Sequence, residues 1–216
     1  MRKYLTEFLG TMFFVLLIGL TVTPGRQALA PLIIGASLMV VVYMGGHVSG
    51  AHYNPAVTLA VFLRGKHLTA REVLPYMVSQ IAGGLVGAYI SYWLLGRTFA
   101  PVPGTGVVTE AALLTEVLFT MLLALVVLNV ATSAKTSGNS FYGLAIGFAI
   151  VVGVFAGGPV SGGVYNPAVG IGSSVVNVMF GGGDLSKIWI YLVGPFLGAV
   201  LAFAIFRVQE AGAEAP

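Results

Sequence analysis

The chain has 216 residues, of which 57% are apolar and only 8% charged, against about 25% charge in an average soluble domain. With a mean hydropathy of +0.97, the charges are too few to cover a water-soluble globule, which argues against a cytosolic enzyme and against disorder and makes membrane lipids the main solvent. Cysteine is absent, so disulfides and thiolate metal sites are excluded, and the net charge of +3 has no clustered patch that would bind nucleic acid.

Hydropathy places six spans near 4–22, 30–48, 72–95, 110–130, 141–158 and 187–206, each close to the roughly 20 residues that cross a bilayer. The first span carries Glu7 and lacks a small-residue cleavage site, so it reads as a span and not as a signal peptide. With a cytoplasmic N-terminus, Arg2, Lys3, Arg64, Lys66, Arg71, Lys135 and Arg207 face the cytoplasm, while Arg26, Arg97 and Lys187 face outside. That bias predicts cytoplasmic N- and C-termini in a multi-pass protein of the plasma or inner membrane.

An internal repeat follows the second span of each half. Ser49-Gly50-Ala51-His52-Tyr53-Asn54-Pro55-Ala56-Val57 matches Ser161-Gly162-Gly163-Val164-Tyr165-Asn166-Pro167-Ala168-Val169. Glu7 pairs with Glu116, Gly35 with Gly147 and Tyr76 with Tyr191. The chain reads as one membrane domain over 1–216 with repeats near 1–98 and 109–216. Three spans per half is odd, so the second half enters from the opposite side, which predicts an inverted repeat with its axis in the membrane plane.

Asn is a good N-cap and Pro is tolerated at the first helical position, so short helices are expected from Pro55 to Leu63 and from Pro167 to Val178. Together they span about 32 Å at 1.5 Å per residue, enough to form a seventh, broken crossing. The fold expected is therefore all-α: six transmembrane helices plus two re-entrant half-helices. The glycine-rich stretches 45–50 and 157–163 are expected to be non-helical. Gly46, His47, Val48, Val160, Ser161 and Gly162 would then offer pore-lining carbonyls, and His47 a carbonyl or ring. Each capping Asn spends its side-chain oxygen on its own helix and keeps its NH2 as a donor, beside two positive helix N-termini that repel cations.

These motifs resemble the aquaporins, the major intrinsic protein family, across essentially the whole chain: two Asn-Pro-Ala motifs (Asn54-Pro55-Ala56 and Asn166-Pro167-Ala168), Ser49-Gly50-Ala51-His52 before the first, and an acid in spans one and four. The resemblance implies a homotetramer with one pore per subunit and passive flow. It implies that Glu7 and Glu116 hold the re-entrant loops by accepting N–H bonds. It carries no cofactor and no metal. Packing or loop bonding is expected for His52 and solvation for His67.

The chain departs from the family at the constriction. Val169 stands where most members place Arg. Counting from Asn54 and Asn166, the other corners fall on Ile34, Val154 and Gly163. This set is apolar and has no bulky ring, so a wider aperture is expected unless a neighbouring side chain fills it. Gly170 replaces the Asp usual in glycerol-conducting members, and Tyr191-Leu192 replaces the Phe-Trp frequent in water channels.

The function expected is a passive channel for water and small uncharged solutes that excludes ions and protons. Glycerol, urea, ammonia, carbon dioxide or metalloid acids become candidates because the Arg is missing. A secondary transporter is the competing reading, disfavoured because the loops hold no spare carboxylate for ion coupling. A non-conducting structural or junction protein is the third. No nucleophile–base pair or phosphate loop supports an enzyme.

Overall fold

The computed structural model describes residues 1–22, 27–65 and 67–211. Arg26 and Lys66, used above to orient the chain, lie outside the described residues. Eight α-helices occur among the described residues: α1 (Arg2–Thr21), α2 (Ala30–Ser49), α3 (Pro55–Arg64), α4 (Ala70–Leu95), α5 (Thr109–Thr132), α6 (Tyr142–Ser161), α7 (Pro167–Gly181) and α8 (Ile190–Glu210). No strand is present among them. Six are long and apolar enough to cross a membrane, and α3 and α7 are the shorter pair.

Both short helices start for the same local reason. Asn54 and Asn166 sit in extended conformation (φ −156° and −154°), with Pro55 and Pro167 opening the first turn. The Asn54 side-chain oxygen accepts the Ala56 N–H at 2.9 Å, and that of Asn166 accepts the Ala168 N–H at 2.9 Å. Each bond satisfies an N–H that the helix itself leaves orphaned.

Where the sequence predicts irregular backbone at 45–50 and 157–163, the helices continue. Gly46, His47 and Val48 belong to the last turn of α2, and Val160 and Ser161 to that of α6. The break comes later, at Gly50 (φ +87°) and Gly162 (φ +95°), whose N–H groups bond Gly46 O at 3.0 Å and Gly158 O at 2.9 Å. These are left-handed glycine caps, and a cap fixes the helix end more sharply than a run of glycines does. Pro159 lies inside α6 and does not end it, an internal Pro of the kind membrane helices tolerate. The irregular backbone is thereby confined to 50–53 and 162–165.

Glycines let helices of the two halves meet backbone to backbone. A Cβ on Gly35 of α2 would come within 2.5 Å of the Gly147 oxygen on α6, and one on Gly147 within 2.6 Å of the Gly35 oxygen. The half-helices cross over in the same way. α3 packs on α8, and α7 packs on α4. A Cβ at Gly172 of α7 would lie 2.5 Å from both the carbonyl carbon and oxygen of Gly84 on α4. Main chain cannot yield as a side chain can, so Gly172→Ala is expected to cost about 1–3 kcal/mol. A fall in melting temperature of the detergent-solubilised protein checks this; an unchanged melt contradicts it.

The ends of the helices define two faces. On one, Lys3 of α1 pairs with Glu72 of α4 at 2.9 Å, Arg64 at the end of α3 lies over the Phe206 ring at 5.3 Å, and Asn129 of α5 bonds Gln209 at 2.9 Å. On the other, Thr98 after α4 bonds Asn177 of α7 at 2.7 Å, and Lys187 bonds Thr109 at the start of α5 at 3.1 Å. Thus α3 and α7 leave toward opposite faces while their N-termini meet.

Candidate functional site

The meeting point is held by reciprocal bonds. Asn54 Nδ2 donates to Tyr165 O at 2.8 Å, and Asn166 Nδ2 donates to Tyr53 O at 2.9 Å. The sequence reading leaves each NH2 wholly free; in the structure one of its two N–H groups is spent on the opposite loop. The two loops abut, so the nearest acceptor for each amide is the other loop's carbonyl. The second N–H of each amide remains a donor.

Each loop is fixed from behind by a fully buried carboxylate. Glu7 Oε1 accepts from Ser49 Oγ (2.6 Å) and the His52 N–H (3.0 Å), and Oε2 from the Tyr53 N–H (2.7 Å) and Gln80 Nε2 (2.7 Å). Glu116 repeats the pattern: Oε1 accepts from Ser161 Oγ (2.7 Å) and the Val164 N–H (3.0 Å), Oε2 from the Tyr165 N–H (2.6 Å). These bonds hold Tyr53 (φ +48°) and Tyr165 (φ +52°) in left-handed backbone, a conformation that costs about 1–3 kcal/mol and persists only where its surroundings enforce it.

Sequence reasoning paired Tyr76 with Tyr191 and assigned them no role. The structure gives them one: their hydroxyls donate to Ser49 O at 2.8 Å and Ser161 O at 2.6 Å, tying the ends of α2 and α6. Gln80 was missed. It bridges Glu7 and Thr58 (2.8 Å), and Thr58 in turn meets His52 Nδ1 at 3.2 Å. His52 also lies against Tyr76, with ring centroids 5.2 Å apart and the planes tilted by 45°. The second half has no equivalent, because Val164 and Gly170 stand where His52 and Thr58 do. A polar residue at position 80, inside an apolar span, was the available signal.

Three cavities that share lining residues lie along this framework. On the face carrying Lys3 and Arg64, a cavity of about 900 Å³ is bordered by Gly46, His47, Gly50, His67 and the 130–139 segment. At the centre, a space of about 10 Å³ lies among Phe14, Val42, His52, Asn54, Ile146, Ile150 and Asn166, about enough for one water molecule. Toward the other face, a chamber of about 170 Å³ is lined by Ile34, Val154, Gly163 and Val169, together with Phe14, Phe99, Pro101 and Ile150. Val42 and Ile146 border the first two spaces, and Phe14 and Ile150 the last two.

All four residues counted from the motifs therefore share one chamber. The rings absent from that set come from elsewhere, Phe14 on α1 and Phe99 on the 96–108 connection. Phe99 had no sequence signal, since the connection carries no periodicity or repeat partner. Gly170 packs so closely on Tyr191 that a Cβ would lie 2.8 Å from the Tyr191 Cβ, so an Asp side chain has no room there. Along the loops, the carbonyls of Gly50, Ala51 and His52 and those of Gly162, Gly163 and Val164 accept no bond among the described residues. The Val160 carbonyl, expected in the same role, instead accepts from the Gly104 N–H at 3.0 Å.

The major intrinsic protein family model matches residues 1–206. Glycerol uptake facilitator protein-like 6 of Lactiplantibacillus plantarum is 36% identical over 221 residues, covering 97% of this chain and 98% of that protein. Aquaporin NIP1-4 of Oryza sativa subsp. japonica is 35% identical over 220 residues, covering 96% and 78%. The X-ray structure of the aquaglyceroporin from Plasmodium falciparum shares the fold with a TM-score of 0.85, at 22% identity and 98% and 97% coverage. With paired half-helices, reciprocal Asn bonds and a match over nearly its full length, this chain belongs to the major intrinsic protein family of membrane channels.

Proposed function

We propose that the protein conducts water and small uncharged solutes passively and excludes ions and protons at the Asn54–Asn166 midpoint. The observation that supports this is the row of cavities with shared lining residues, the central one about 10 Å³ and bordered by both N-caps, Asn54 and Asn166. There the positive ends of α3 and α7 face one another and oppose cations. In this reading Pro55, Ala56, Pro167 and Ala168 set the two helix starts, and Glu7 and Glu116 keep the loops in place. Ile34, Val154, Gly163 and Val169 form the selectivity constriction. Because that set has no charge, the channel admits neutral solutes larger than water, such as glycerol and urea. The protein assembles as a homotetramer with one pore per chain, in the cell membrane, with both termini cytoplasmic.

The test is flux into proteoliposomes. Glycerol and urea entry should rise linearly with concentration, should need no sodium or proton gradient, and should be accompanied by proton flux no greater than in protein-free vesicles. Saturation or dependence on an ion gradient would instead indicate a coupled transporter. A proton leak that tracks the protein would remove the midpoint barrier from the account.

A further inference from the structure

We propose that a second constriction lies between the midpoint and the face carrying Lys3 and Arg64, built from the repeat copy of the outer set, and that it limits the passage of solutes larger than water. The inference rests on the channel reading above and adds where the size limit is set.

The repeat, laid on the cavities, carries it. At the offset that relates Asn54 to Asn166, Ile34 and Val154 have the mates Ile146 and Val42, and Gly163 and Val169 have the mates Ala51 and Val57. All four mates line the central space of about 10 Å³, together with both motif Asn residues. The outer four line the chamber of about 170 Å³. The two sets lie on either side of the crossing of α2 and α6, where Gly35 and Gly147 meet main chain to main chain. Thus α2 sends Ile34 to the outer set and Val42 to the inner one, and α6 sends Val154 outward and Ile146 inward.

The copies differ in bulk. Ala51 adds a methyl group where the outer set has Gly163, and Tyr142 stands where the outer chamber has Ala30. The Tyr142 ring lies against Gly46, where an added Cβ would approach it to 3.3 Å. Tyr43 backs that ring edge-on, with centroids 5.1 Å apart. Tyr43 is itself pinned: its hydroxyl donates to Ser140 O at 2.9 Å and accepts from the Leu144 N–H at 3.2 Å. All four inner residues are buried, whereas Val154 and Gly163 of the outer set are only half-buried. One water molecule fits the inner space as it stands. A larger solute must push close-packed side chains out of their rotamer wells. The outer chamber already has the room. For steps in series the highest barrier governs the rate, so size discrimination falls to the inner copy.

The experiment makes the same substitution in both copies. Ile146→Ala opens the inner set, and Ile34→Ala opens its mate in the outer set. Water permeability is read from osmotic shrinkage of proteoliposomes in sucrose, and glycerol and urea permeability from reswelling. Ile146→Ala should raise the glycerol-to-water and urea-to-water ratios by about threefold or more beyond any rise in Ile34→Ala. Val42→Ala against Val154→Ala repeats the comparison with a smaller deletion if an Ile variant fails to fold. A rise in the outer variant that equals or exceeds the inner one overturns the inference. So do native ratios in a folded inner variant. Native water flux at the protein-free level overturns the channel reading itself, which keeps the two failures apart.

Discussion

Glu116→Ala is expected to destabilise the folded protein by about 3–5 kcal/mol and to abolish conduction. The Val164 and Tyr165 N–H groups and the Ser161 hydroxyl all bond this one carboxylate. No neighbouring side chain of the second half replaces it, since Pro195 lies where the first half has Gln80. Hydrogen bonds to charged groups are worth about 1.5–3 kcal/mol each, and a buried donor left alone costs its desolvation. With those bonds gone, the carboxylate no longer enforces φ +52° at Tyr165, and the position of the carbonyl that meets Asn54 is loosened. Glu116→Gln repairs little, because an amide brings its own NH2 against a backbone N–H. Thermal unfolding in detergent and flux in vesicles check both parts. A variant that melts and conducts like the native protein would contradict this role.

Val169→Arg should reduce glycerol and urea flux by about tenfold or more, and reduce water flux less. The guanidinium would enter a chamber of about 170 Å³, where the unbonded carbonyls of Gly162, Gly163 and Val164 are its nearest acceptors. It narrows the aperture and restores donors at once. Stopped-flow reswelling with each solute reads the outcome. Equal loss of water and solutes would mean the Arg blocks the pore and does not filter it; no change would place Val169 away from the constriction.

The sequence was most legible where local chemistry is self-contained. Asn-Pro sets a helix start through one capping bond and one fixed φ, so α3 and α7 could be placed from Asn54 and Asn166. The apolar runs gave the six long helices within a few residues of their ends. Legibility failed where an outcome depends on partners distant in sequence. Glycine runs at 45–50 and 157–163 looked like loops, yet α2 and α6 persist to Ser49 and Ser161, two buried residues whose carbonyls are anchored by the Tyr76 and Tyr191 hydroxyls. The Asn NH2 groups looked free because the opposite loop's carbonyls lie more than 100 residues away along the chain. Phe99 enters the chamber from a connection that carries no pattern at all. Repeat pairing, in contrast, foretold symmetry: Glu7 and Glu116, at matched positions, receive matched bonds.

The most direct test of the account is osmotic water permeability of proteoliposomes bearing the native protein beside Val154→Trp. Val154 is half-buried on the wall of the outer chamber, so an indole there fills the proposed path without entering the Glu7 or Glu116 networks. The native protein should shrink vesicles well above the protein-free rate, and the Trp variant should return to that rate with an unchanged melting temperature. A native rate no higher than protein-free vesicles, or a folded Trp variant that conducts like the native chain, would contradict a pore through this chamber.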